Sequence, residues 1–222
     1  MKKGKRMNKL VFSGLLGACA LTSAASAGFA GWAANSYATS NGNAAVDVYA
    51  MFTVGTDKLL NVFNMNITLG GATNFIQNDV AGGAWQPLPN FNPAVDDSYV
   101  TIGQAPGFSN TTALDPNFSN NFSTLPPAPN AGWYNGNPSA FTATAGEVSV
   151  NQNDTGTTLG VMIGRFVLAG VADVQRTLVV NGFASFNTGA NGSSAKTFTY
   201  VPAPGALALL GLAGFAARRR RA

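Results

Sequence analysis

Apolar and polar residues alternate along several short runs, and turn-forming clusters separate the runs. A period of two puts successive side chains on opposite faces of a strand. In the run 44–54, Val46, Val48, Ala50, Phe52 and Val54 share one face. Gly55-Thr56-Asp57-Lys58 reads as a hairpin loop to a second strand over 59–68. That strand is expected to bury Leu59, Phe63, Met65 and Ile67 and to expose Asn64, Asn66 and Thr68. Further strands are expected at 98–102, 147–151, 159–168, 174–180, 182–187 and 196–201. The run 159–168 is apolar on both faces, which suits a central strand, and Arg165 lies within it. Short strands without a helical period predict an all-β body, folded as a two-sheet antiparallel β-sandwich.

Composition agrees with this pattern. Asn occurs 22 times between Asn35 and Asn191. Its side chain bonds to nearby backbone and tolerates positive φ, so it favours turns. The nine Pro residues of the body lie between Pro87 and Pro138. Pro cannot donate a ladder hydrogen bond, so 86–138 is expected to be loop with edge strands. Trp85, Phe108, Phe118, Phe122, Trp133 and Tyr134 are expected to pack much of it into place.

Charge divides the chain into three. Nine of the 13 basic residues lie in the first nine and last five positions. Residues 28–200 keep four cations against nine acids, a formal net charge of −5. No basic stripe runs through this body, so no nucleic-acid partner is expected. Residues 1–27 read as a secretory signal: a basic leader from Lys2 to Lys9, an apolar run over 10–21 expected as a signal helix, then Ala25-Ser26-Ala27. Cleavage after Ala27 would leave Gly28 as the first residue. Leu16-Gly17-Ala18-Cys19 offers a second route, with Cys19 lipidated; Gly17 matches that motif less well than Ala25 and Ala27 match theirs. At the other end, Pro202 and Pro204 stop the last strand, and Ala, Leu, Gly and Phe fill 206–217 before Arg218, Arg219, Arg220 and Arg221. As a helix this run reaches roughly 18 Å, short of a ~30 Å hydrocarbon core. The arginines would stay on the cytoplasmic side.

Val201-Pro202-Ala203-Pro204, the apolar run from Leu207 to Leu212 and Arg218 to Arg221 resemble the PEP-CTERM sorting signal of Gram-negative bacteria, with Ala203 where that pattern has Glu. The resemblance implies that 201–222 is a sorting tail with a short transmembrane helix, recognised by an exosortase-like processing enzyme. It is silent on the body. Within 28–200, Asp57 to Phe63, Asp97 to Gly103, Gly132 to Asn135 and Gly164 to Phe166 resemble, more loosely, exported PEP-CTERM proteins of planctomycete-like bacteria. Those look cohesin-like, with a jelly-roll flavour, and carry over no catalytic residue.

Candidate chemistry in the body is sparse. The chain has no His, and Cys19 is its one Cys, so His-based triads, thiolate zinc sites and disulfide frameworks are excluded. Carboxylate catalysis needs two acids converging in a cleft, and Asp96, Asp97, Asp115, Glu147, Asp154 and Asp173 read as turn and cap residues. Asn151, Asn153 and Asp154, and likewise Asp96 and Asp97, form oxygen-rich turns for which the alternatives are a structural calcium and a solvated turn; without an EF-hand or nonapeptide pattern, neither metal nor cofactor is expected. Ice binding would need a regular Thr array, and Thr142-Ala143-Thr144 and Thr197-Phe198-Thr199 stand alone. The remaining ligand candidates are Trp85, Trp133 and Tyr134, loop aromatics with Asn nearby, whose rings could stack on sugar faces. The sequence therefore reads as an exported, non-enzymatic surface or extracellular-matrix protein. The alternative is a carbohydrate-binding module acting on exopolysaccharide.

Overall fold

The computed structural model describes residues 28–72, 74–78, 85–86, 94–103, 111–119, 123–137, 143–171 and 174–202. The expected leader (1–27) and the tail beyond Pro202 lie outside the described residues. Ten strands and no α-helix occur among the described residues: β1 (Phe29–Ala38), β2 (Asn43–Phe52), β3 (Leu59–Gly70), β4 (Tyr99–Gly103), β5 (Thr112–Leu114), β6 (Ala131–Asn135), β7 (Gly146–Glu147), β8 (Leu159–Val171), β9 (Arg176–Phe186) and β10 (Asn191–Tyr200). They form two antiparallel sheets. One has the order β1-β2-β8-β4, with β7 also on β8; the other runs β10-β9-β3-β6-β5.

The sheets face each other as a sandwich. Trp32, Val46, Val48, Phe52, Ile163 and Phe166 from one sheet share a core with Met65, Ile67, Leu178, Val180 and Phe198 from the other. β8 is central, as its two-sided apolar run predicts. Its outer-face neighbours Met162 and Val167 are buried as well. The expected hairpin at Gly55 to Lys58 is not formed. β2 has β1 on one edge and β8 on the other, so neither edge is free for β3. The 53–58 loop instead arches between the sheets.

Two β-bulges decide which way side chains point. Asn64 has φ +50°, and the β3 register shifts there against β6 and β9. An extra residue inverts the alternation, so Val62 and Met65 both point into the core while Phe63, expected inside, lies on the outer face. In β8 the register shifts opposite Val48 and Tyr49. Val161 and Ile163 face the core before the shift, and Phe166 and Leu168 after it. Arg165 is thereby carried to the outer face, against Asp47.

The Pro-rich middle packs through its rings. Phe166, Phe75 and Trp85 contact one another, and Trp85 leads through Phe118 to Trp133, with centroid separations of 5.1 to 6.2 Å. Phe108 and Phe122 lie outside the described residues. The free edge of β1 is covered by a crossing segment: Ala34 N–H donates to Gln152 O (3.0 Å) and Ser36 N–H to Asn151 Oδ1 (2.9 Å). Gln152 Oε1 also accepts from Thr199 N–H of β10 at 2.7 Å, tying the two sheets together at this edge. A covered edge cannot recruit another strand.

Candidate functional site

Two of the three expected ligand aromatics are core residues. Trp85 and Trp133 are fully buried, and their indole N–H groups donate to Ser123 O (2.9 Å) and Thr101 O (3.1 Å). Neither presents a ring face to a ligand, and a binding role for them is corrected to packing. Tyr134 is different. Its neighbours in β6 point inward, and strand alternation leaves it 42% exposed on the outer face of the second sheet.

Among the described residues the candidate carboxylates are held by separate partners. Asp96 is buried, and Asn41 Nδ2 donates to its Oδ2. Burial alone would raise its carboxyl, but bonds from Thr39, Asn41 and Asn43 together hold it below the usual carboxylate range. Asp97 Oδ1 accepts from Asn78 N–H (2.7 Å). Asp154 pairs with Lys196, whose hydrogen bond lowers its carboxyl pKa. The oxygens of the 151–154 turn serve the fold: Asn151 Oδ1 takes Ser36 N–H, and Asn153 Oδ1 takes Thr155 N–H and Oγ1–H. Among the described residues no three acids, Cys or His gather where a metal could sit. Asp173 lies outside them.

The outer face of the first sheet carries a closed polar cluster. Arg165 Nε and Nη2 donate to Asp47 Oδ1 and Oδ2 at 2.8 and 3.2 Å, and Tyr37 O–H donates to Oδ2 at 3.1 Å. The guanidinium lies against the rings of Tyr37 and Tyr99, 5.9 and 5.5 Å from their centroids. Both charges are satisfied by each other, so this cluster offers no free ion to a ligand. Burial, reinforced by the Asp47 carboxylate and opposed by Arg165, pushes the Tyr49 phenol up to about 12 and raises that of Tyr37. The Tyr99 phenol is raised chiefly by burial, again against Arg165.

The outer face of the second sheet is open. Phe63 of β3 pairs with Phe183 of β9, and Asn66 pairs with Asn181. The two Phe rings stack at 5.3 Å and 20°. Beyond them, residues 116–119 and 128–130 rise as a wall containing Pro116 and Pro129. Together these enclose a groove of about 940 Å³. Asn64, Asn66, Asn117, Asn130 and Asn181 line it beside Phe183, and among the described residues no charged side chain does. A second hollow of about 430 Å³ shares Asn66, Ala128 and Pro129 with it and continues along β3 to Leu69. On the other side Phe63, Tyr134 and Asp115 line a small hollow of about 100 Å³. The result is a trough along a sheet, with aromatic rings and a row of amides on one face, uncharged over its larger part and with Asp115 at its Tyr134 end. Amides both donate and accept, and rings present flat apolar surface. That pairing suits a neutral, hydroxyl-rich ligand.

The alternation Asn64, Asn66, Thr68 marks this face in the sequence. The residues opposite, Asn181 and Phe183, are more than a hundred positions away, and only the β3–β9 pairing brings them in. Comparison of the chain with protein-family models, with curated proteins and with solved structures finds no match. The functional reading therefore rests on this geometry.

Proposed function

We propose that the chain is an exported, non-enzymatic envelope protein whose sandwich holds neutral polysaccharide at the cell surface or in the extracellular matrix. The observation that carries the binding part is the groove lined by Asn64, Asn66, Asn117, Asn130 and Asn181, with no charged residue among its described lining, beside the stacked rings of Phe63 and Phe183. The export part rests on the leader 1–27 and on the PEP-CTERM-like tail 201–222, with an exosortase-like enzyme and the membrane as partners. The paired antiparallel sheets are compatible with the finer cohesin-like, jelly-roll reading.

Two measurements on the exported protein test this reading. On an array of neutral and acidic polysaccharides, the protein is expected to bind neutral chains and to lose at least tenfold in affinity when Phe183→Ala and Asn181→Ala are combined. Binding unaffected by that double change, or confined to acidic chains, refutes the trough as the site. Deleting residues 202–222 is expected to release the folded protein from the membrane fraction. A truncated chain that still sediments with membrane removes the sorting-tail reading.

A further inference from the structure

Asp57 is a buried carboxylate in need of a cation. It is 1% exposed, in the loop that arches between the sheets. Its backbone is held on both sides: its N–H donates to Val54 O (3.2 Å), and its carbonyl accepts from Ala145 N–H (2.8 Å). Among the described residues its side chain accepts one hydrogen bond, from the backbone N–H of Gly28 to Oδ2 at 3.1 Å. Burial raises its carboxyl pKa, and the Gly28 N–H opposes this only in part. Lys58 follows it in the same loop, and Glu147 lies on β7, two residues beyond Ala145. Arg165 pairs with Asp47 and Lys196 with Asp154, and among the described residues no ion pair joins Asp57 to Lys58 or to another cation. An uncompensated buried carboxylate is costly.

Gly28 is also the residue that follows Ala25-Ser26-Ala27. Its carbonyl accepts from Thr53 N–H at 3.1 Å, so the residue is anchored with its nitrogen aimed at the carboxylate. We propose that leader removal after Ala27 creates on Gly28 an ammonium group that docks against Asp57, so that processing itself supplies the missing cation and stabilises the sandwich. Water cleaves the Ala27–Gly28 peptide bond; the leader leaves with a carboxylate on Ala27, and the Gly28 amine takes up a proton. A neutral amide donor becomes a charged one at the same place, and charge-assisted hydrogen bonds are about twice as strong as neutral ones. This inference rests on the leader reading given above. It goes beyond that reading in assigning Asp57 as the receptor of the new terminus.

The experiment uses the exported full-length protein and a version with one serine inserted between Ala27 and Gly28, each with Asp57 and with Asp57→Asn. Mass spectrometry locates the N-terminus, and thermal unfolding is read at pH 6.5. With cleavage after Ala27, the insertion moves the ammonium away but keeps the Gly28 N–H. It is expected to lower the melting temperature by roughly 5–10 °C with Asp57 and by no more than about 2 °C with Asp57→Asn. Equal losses in both backgrounds, or none in either, overturn the proposal while leaving the leader reading intact. A terminus elsewhere, such as a lipidated Cys19, overturns both. A second readout needs no variant. A paired ammonium has a raised pKa, so its stabilisation is full below the ordinary α-amino value of ~7.7–8.0 and is lost as pH rises through the raised one. The pH dependence of acylation of the Gly28 amine is expected to show a pKa at least about one unit above that range; an unshifted value overturns the proposal.

Discussion

On the outer face of the first sheet Asp47, Met51, Tyr99 and Met162 are buried, whereas on that of the second Asn64, Asn66, Asn181 and Phe183 stand exposed. The first face is covered in part by the segment before β8. A Cβ placed on Gly160 would lie 2.8 Å from Val148 Cγ2 and 2.9 Å from Met51 Sδ, so the glycine makes room for this cover. Its one charged pair is locked between tyrosine rings. Among the described residues the second face has a wall at one side and no cover, and the polar side chains that line its groove are uncharged. Polar residues on a closed face must satisfy one another, because water cannot. On an open face they are free to serve a ligand. Polarity alone therefore does not mark a binding surface here; the difference lies in which polar groups already have partners.

That contrast can be broken most sharply at Asp47. Asp47→Ala leaves the half-buried Arg165 guanidinium without its two carboxylate bonds and the Tyr37 hydroxyl without its acceptor. The expected cost is about 2–3 kcal/mol in urea unfolding, below the full value for a deeply buried pair because 23% of the Arg165 side chain is exposed. A cost under about 0.5 kcal/mol, typical of a surface pair, would mean that the first face is as open as the second.

A smaller effect, absent at neutral pH, is expected on alkaline titration. The phenols of Tyr37, Tyr49 and Tyr99 are raised in the folded state, so folding favours their protonated forms. Their contribution is complete below the unfolded value of ~10 and is lost as pH rises through the folded values, that of Tyr49 being about 12. Phenolate absorbance from these three residues should therefore appear together with loss of the far-ultraviolet dichroism of the sheets. Ionisation of all three near pH 10 with the dichroism intact would show that the face is solvated.

The smallest change is expected on the open face. Asn66→Ala and Asn181→Ala remove exposed amides and should each alter stability by no more than about 0.5 kcal/mol, measured in urea. A loss above about 1.5 kcal/mol from either would assign these side chains to the fold and remove the basis for a ligand trough.

The alternation Val46, Val48, Ala50, Phe52 and the two-sided run of β8 were legible because both follow local periodicity, and both elements sit where that periodicity places them. β1 escaped notice. Phe29–Ala38 has three aromatic residues that suit a strand, Phe29, Trp32 and Tyr37, but no β-branched residue, and Ala, Gly, Asn and Ser fill the rest and break any clear alternation. It is a strand because β2 offers it an edge. Trp85 and Trp133 looked like loop aromatics because the Pro-rich stretch around them reads as surface; the rings of Phe75, Phe118 and Phe166 draw them inside.

Local pattern was sufficient for the all-β class, for the division of charge between body and ends, and for a central β8. Those features depend on composition and on a two-residue repeat, which any segment expresses without its neighbours. Tertiary pairing decided the faces of Phe63 and Arg165, the separation of β2 from β3, the meeting of Asn66 with Asn181, and the placement of Gly28 beside Asp57. A single bulge inverts every side chain beyond it, and strand edges are filled by whichever distant segment completes the ladder. Neither is visible until the register is known, because both are properties of pairs of strands rather than of one.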